Sequence, residues 1–382
     1  MRSSQKNPEV ESENTIRQIL VKAGTTLLIA GPASLELVEG KANIFASPLS
    51  KNRRITIREG KQLPVEASEN STFNCHISNA GRFSEVAGST IPSSWMEIAQ
   101  TVLEVPKSRI VVIGNVDSGK SAFCTMLANL AVNSGIGIAV LDADLGQSDI
   151  GPPSTIGLGR VSAHVLTLSE VPPDLLYFVG YISPAPVTDK VLYGIGQLLN
   201  HTKGPDSVVM NTDGWVVDDE AIVYKKRLID SVKPDFVVGI GEANQVNPIL
   251  ELTKCTSFQI SSPNRILKRS KEQRREIREF GYRKYLANAK VTRVDVVRSQ
   301  ISYSDGRAIK PEDINPSLVN SLVGVLDENG WLIGIGVISQ VDPQGGNLEV
   351  FSPVPHRFFK IEVGAVKLNE QGTELSYLNE RN

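Results

Sequence analysis

At roughly 100–200 residues per domain, a chain of 382 residues exceeds one small domain and predicts two or three. Its apolar fraction of 41% and charged fraction of 21% exclude wholesale disorder and a fibrous protein. A net charge of −2 excludes a uniformly positive surface that coats nucleic acid, so any such contact must be local.

The opening MRSSQKNPEVESEN is polar, lacks the apolar stretch of a signal peptide and reads as a frayed start. From Ile16 to about Asn79, short apolar pieces (TLLIAG, LELVEG, ANIFAS, RRITIREG) alternate with Gly, Pro, Ser and Asn, the texture of a small antiparallel β domain. Ala80 to Ser94 reads as a linker, so residues 1–94 form an N-terminal β domain with its linker.

Between 95 and 290 the texture changes. Apolar β-branched runs (Ile110 to Ile113, Ile138 to Leu141, Val208 to Met210, Phe236 to Ile240) are separated by helix-length segments, which predicts an α/β domain of buried parallel strands. From Val291 the runs VTRVDVV, SLVGVLD, WLIGIGVIS and FFKIEVGAVKL return to short strands, so 291–382 read as a second small β domain. Cys75, Cys124 and Cys255 form no CxxC, and His76, His164, His201 and His356 are scattered, so neither a disulfide framework nor a zinc site is indicated. The cysteine usage suits a reducing, intracellular compartment, and no run approaches the ~20 apolar residues of a spanning helix.

The strand at Arg109 to Ile113 runs directly into Gly114-Asn115-Val116-Asp117-Ser118-Gly119-Lys120-Ser121, with a helix expected to about Asn133. This is the complete Walker A pattern in its strand–loop–helix setting, hence a P-loop NTPase fold of the RecA/ASCE type. Residues 114–121 cradle the phosphates of ATP, Lys120 reaches the β and γ phosphates, and Ser121 ligates Mg²⁺. Asp117 orients Lys120, approaches the nucleophile, or simply makes the turn. Cys124 on the helix reads as a core residue.

The strand at Ile138 to Leu141, taken to neighbour the P-loop, ends in Asp142-Ala-Asp144-Leu-Gly-Gln147. Asp144 is the first choice for metal and for accepting a hydroxyl proton, and Asp142 is the second metal candidate. A GTPase is disfavoured, because Val232-Lys233-Pro234-Asp235 lacks the first residue of a guanine-reading motif.

Four segments together resemble the polynucleotide 5′-hydroxyl kinases: the Walker A loop, Asp142 to Pro153, Phe178-Val-Gly-Tyr-Ile-Ser-Pro184, and Asn211-Thr-Asp-Gly-Trp215. A fifth, Leu267-Lys-Arg-Ser-Lys-Glu-Gln-Arg-Arg275, is similar to that family's arginine-rich lid. The resemblance implies a three-domain enzyme that transfers the γ-phosphate of ATP to the 5′-hydroxyl of RNA, with DNA an open alternative. It leaves open a protein complex for RNA processing, and with no nucleolar-type basic extension visible the expectation is a cytoplasmic, archaeal-like enzyme, nuclear if eukaryotic. Arg269 and Arg274 would hold the transferring phosphoryl group, with Gln147 and Trp215 on the substrate, Trp215 being otherwise a half-buried anchor for its loop, Thr212 on substrate phosphate or tying the turn, and Arg275 or Arg278 on the RNA backbone. A tryptophan in a glycine turn offers a flat face for a nucleobase. Between Arg265 and Lys284 nine basic residues face three acidic ones, more than i,i+4 pairing absorbs. A different class, a scaffold that keeps ATP as a structural ligand, stays open.

Overall fold

The computed structural model describes residues 16–202, 206–355 and 360–377. The polar N-terminal stretch, His356 and the Phe358-Phe359 pair lie outside the described residues. The chain divides into two units: one runs to Ile44 and from Pro48 to Thr90, and the other takes Phe45–Ser47 and everything from Ile91.

In the first unit, alternating side chains build two antiparallel sheets, with Val21, Leu35, Leu37, Phe73 and Cys75 turned inward. Part of the expected linker is a strand: Arg82–Ala87 pairs antiparallel with Thr25–Ala30. Its side chains are almost all exposed, so its composition carries no core signal and reads as loop.

The second unit begins with α1 (Ser93–Leu103) and β1 (Arg109–Gly114), then α2 (Lys120–Asn133) and β2 (Ile138–Ala143). It continues through β3 (Thr155–Val161), β4 (Leu175–Phe178), α3 (Thr188–Asn200), β5 (Ser207–Thr212) and α4 (Asp219–Val232). The strands β6 (Phe236–Ile240) and β7 (Thr256–Ile260) enclose α5 (Ala243–Leu250), and α6 spans Lys271–Tyr285. The sheet runs β4-β3-β2-β5-β1-β6-β7.

The strands β2, β5, β1 and β6 are parallel, as their continuous apolar runs predict, and the more polar β7 joins them in parallel, whereas β3 turns back antiparallel on β2 and β4 on β3. The link of residues 144–154 between β2 and β3 is too short for a helical crossover, which takes a dozen residues or more. A second difference concerns neighbours: β5, not β2, lies beside β1.

A seven-stranded sheet follows from Lys290–Asp295 to Glu374–Tyr377, with Gln300–Tyr303 the strand that runs parallel to its partner. It shares a core with the α/β layer: Phe178, Tyr282 and Leu286 are clustered with Leu322, Ile335, Val337 and Val366. The Phe178 ring packs where a Cβ on Gly324 would fall, 2.4 Å away, and Gly180 lies against Gly364 while its carbonyl accepts from Ala365 N–H at 2.8 Å. That contact explains the Phe-Val-Gly motif as a docking seam. Among the described residues, no helix is long and apolar enough to cross a membrane.

Candidate active site

The loop after β1 is shaped by two glycines. Gly114 has φ 156°, and a Cβ there would stand 2.3 Å from Ile240 O and 2.6 Å from Ser118 Oγ. Gly119 has φ 106°, and its Cβ would meet the Trp95 indole at 2.9 Å, while Trp95 Nε1 donates to Ser261 O at 2.9 Å. The loop is therefore a tight turn that only glycine allows at both ends, leading into the N-terminus of α2, the setting of a phosphate-binding loop. Lys120 is buried, and its ammonium donates to Gly114 O at 3.0 Å and Asn115 O at 2.9 Å. Burial lowers its pKa, with the Asp144 carboxylate pulling the other way. Val116 remains exposed, and Asn115 Oδ1 accepts from its N–H at 2.7 Å.

Asp117 has the task that sequence left open. At φ 55° it turns its carboxylate to Arg269, accepting from the backbone N–H at 2.8 Å, from Nε at 2.7 Å and from Nη2, with Arg274 Nη1 at 3.9 Å. Arg269 Nη1 also donates to Gln147 Oε1 at 3.2 Å, Gln147 Nε2 to Arg274 O at 3.1 Å, and Arg274 Nη1 to Arg269 O at 2.7 Å. Gln147 is thus a bracket between the β2–β3 link and the arginine segment. The structure brings together Lys120, Asp144, Gln147, Arg269 and Arg274 around the mouth of the loop.

The two carboxylates after β2 differ. Asp142 is fully buried, and its oxygens accept from the N–H groups of Asp149 (2.6 Å) and Ile150 (3.0 Å) and from Asn211 Nδ2 (2.9 Å). It holds the link in shape, both oxygens accepting from N–H donors. Burial, then the charges of Asp149 and Asp144, push its carboxyl up to about 7. Asp144 is half-buried and accepts from Gln147 N–H at 3.0 Å, which leaves a carboxylate oxygen for other work. Its pKa is raised by burial, against the opposing charge of Lys120. Cys124 is buried and its thiol pushed up by burial, as befits a core residue.

Asn211, at the carboxyl end of β5, spans the gap left by the strand order: its Nδ2 also reaches Ser121 Oγ at 3.3 Å. Its Oδ1 and the Ser118 Oγ are buried without a hydrogen-bond partner, two of three such side-chain atoms among the described residues. Unpaired buried oxygens are costly, and both are at the phosphate loop. Among the described residues no three or more His, Cys, Asp or Glu cluster to hold a metal.

Thr212 is buried and donates to Val112 O at 2.8 Å, so it ties β5 to β1. Trp215 is half-buried, stacked on Tyr224 with centroids 5.7 Å apart and planes at 24°, and its indole N–H donates to Asp218 at 2.7 Å. Gly214 lies on the phosphate loop, where a Cβ would come within 2.5 Å of Val116, which is why the motif needs glycine before tryptophan.

Arg275 is engaged within the protein. Its guanidinium donates to Glu279 at 3.0 Å and to Glu374 O, and Arg278 donates to both Glu374 oxygens at 2.6 and 2.8 Å. With Tyr282 Oη 2.9 Å from Ser154 Oγ and Gly281 against Pro153, α6 is fastened along its length. Sequence reasoning missed Asn211 and Asp213, which stand inside the Asn-Thr-Asp-Gly-Trp motif, and Lys225, whose place among Ala221, Leu228 and Val232 on an apolar helical stripe was a visible signal.

A family model described as the mRNA cleavage and polyadenylation factor CLP1 P-loop matches residues 114–288. The chain is 27% identical to the polyribonucleotide 5′-hydroxyl-kinase of Pyrococcus furiosus over 71% of its length and 91% of that protein. It is also 27% identical to that of Methanocaldococcus jannaschii over 76% and 95%. Human polyribonucleotide 5′-hydroxyl-kinase Clp1 is 26% identical over 66% of this chain and 64% of its own length. In fold, the chain is similar to Clp1p from a Clp1p–Pcf11p complex, with TM-score 0.76 and 15% identity over 94% of this chain and 99% of that one.

Proposed function

We propose that the chain, whose residues 114–288 match the Clp1 P-loop family model, is an ATP-dependent polynucleotide 5′-hydroxyl kinase acting on RNA. The observation that supports it most is the convergence of a phosphate loop, a half-buried carboxylate and two arginines on one mouth. Ser121 and Asp144 are the residues that would hold Mg²⁺, which would neutralise charge on the phosphates.

The chain's own groups divide the remaining work. The loop amides and Ser118 Oγ receive the phosphate oxygens, and Lys120 leaves its loop carbonyls for the β and γ phosphates. Asp144 accepts the proton of the 5′-hydroxyl as that oxygen bonds to γ-phosphorus and the bond to the ADP oxygen breaks. Arg269 and Arg274 spread charge on the transferring group, Arg269 exchanging Asp117 for phosphate oxygen. Trp215 carries the terminal base.

The reading extends to a protein complex for RNA processing as the setting. The test is incubation with γ-labelled ATP and oligonucleotides, RNA and DNA, single- and double-stranded, with 5′-hydroxyl or 5′-phosphate ends. Label should enter only 5′-hydroxyl ends, RNA first. Label released solely as free phosphate would contradict the reading, and ATP bound without transfer would favour the scaffold.

A further inference from the structure

Lys225 has no exposed surface, yet it carries an ammonium into the apolar cluster beneath the site. The ammonium donates to Asp213 Oδ2 at 2.8 Å and Asp213 O at 3.1 Å, the most buried ion pair among the described residues. Replacing such a pair by apolar side chains is often neutral or stabilising, so folding alone gives little reason for it. The rest of the same helical stripe, Ala221, Leu228, Ile229 and Val232, is apolar.

What the pair does hold is the tryptophan turn. The second oxygen of Asp213 accepts from Trp215 N–H at 2.9 Å, so the turn is wound around this carboxylate. The ring rests on Tyr224, the residue before Lys225, and its N–H is taken by Asp218, which also caps α4 by accepting from Ala221 N–H at 2.8 Å. Every one of these anchors leads back to the first two turns of α4. On the other side, Gly214 sets the turn against Val116 of the phosphate loop. Helix, tryptophan and loop are therefore in one register, with Asp213 as its pivot.

We infer that Lys225 is a positioning residue for the acceptor: by holding the Asp213 carboxylate, it fixes the Trp215 ring at the distance from the phosphate loop that a terminal nucleotide requires. The inference rests on the reading of Trp215 as the acceptor platform. Tyr224 covers one ring face, so the ring serves one base.

The test measures the affinity of the full chain for a 3′-fluorescein 5′-hydroxyl oligoribonucleotide by anisotropy, and for ATP by calorimetry. Neither readout needs phosphoryl transfer. Lys225→Met should weaken oligonucleotide binding roughly ten-fold, within the range that loss of one base stack gives, and leave ATP affinity unchanged. Added to Trp215→Ala it should weaken binding no further, since both changes remove one interaction. Because Lys225→Met strands a carboxylate, Asp213→Asn with Lys225→Met supplies a neutral pair that should fold, bind ATP and show the same loss. Unchanged oligonucleotide affinity in a variant that binds ATP would overturn the inference, as would additivity with Trp215→Ala. So would wild-type binding by Trp215→Ala, or a neutral pair that fails to fold, which would make the ion pair purely structural. A wild-type chain that binds oligonucleotide without transferring phosphate would sink the kinase reading and leave this inference standing on the affinities.

Discussion

Asp142 and Asp144 are two residues apart and chemically unlike. Sequence showed a pair of carboxylates after a strand; only the fold could divide them, because the division depends on which backbone N–H groups the β2–β3 link turns inward. Asp144→Asn should keep ATP binding and lose transfer by about 10²–10⁴-fold, the usual worth of a general base. Burial raises the Asp144 carboxyl above its ordinary range, so the acid limb of kcat should lie above that range as well, transfer falling with pH as the base takes up its proton. A pH–rate profile checks this: Asp144→Asn should flatten the limb, and an unchanged limb would remove Asp144 from the role. The strand, glycine turn and helix that carry Lys120 and Ser121 were legible from sequence because the motif is contiguous. Asp117 was not, since its partner Arg269 is 152 residues away.

The arginine-rich segment leading into and along α6 shows what charge counting can miss at the scale of an element. Its excess of positive charge was plain, but the structure spends Arg275 and Arg278 on Glu279 and Glu374 and turns Arg269 and Arg274 to the loop. Arg278→Ala, which strands the largely buried Glu374, should cost roughly 1.5–3 kcal/mol in chemical unfolding. Arg275→Ala should cost under about 1 kcal/mol, its ion pair being half exposed. Both should leave the KM for oligonucleotide unaltered; a raised KM would return Arg275 to the RNA. Arg269→Ala and Arg274→Ala should instead depress kcat far more than KM, with lysine a poor substitute for a guanidinium fork. Trp215→Ala should raise KM by the equivalent of roughly 1–3 kcal/mol across all base identities. Steady-state kinetics at saturating ATP separates the three groups. The Asn-Thr-Asp-Gly-Trp segment was recognisable as a motif, but its internal division of labour depends on β5 lying between β1 and β2, an order that strand patterns do not encode.

For the whole molecule, the parallel strands, their helices and the β texture on either side were written in hydrophobic periodicity. The antiparallel turn of β3 and the shared core around Phe178 and Tyr282 were not, because both depend on contacts distant in sequence. That core makes a specific claim: a chain ending at residue 290 exposes Phe178, Tyr282 and Leu286 and should lose cooperative thermal unfolding, whereas a sharp transition in that fragment would show that the α/β layer needs no C-terminal sheet. The central claim, transfer to a 5′-hydroxyl end, is tested most directly by single-turnover reaction of γ-labelled ATP with an excess of enzyme and a 5′-hydroxyl oligoribonucleotide. The account predicts label that is covalently attached to the 5′ end and removable by phosphatase, none on the same oligonucleotide bearing a 5′-phosphate, and none from a folded Lys120→Ala chain. Saturating ATP binding by the wild-type chain with no label on the oligonucleotide, or equal labelling by Lys120→Ala, would contradict it.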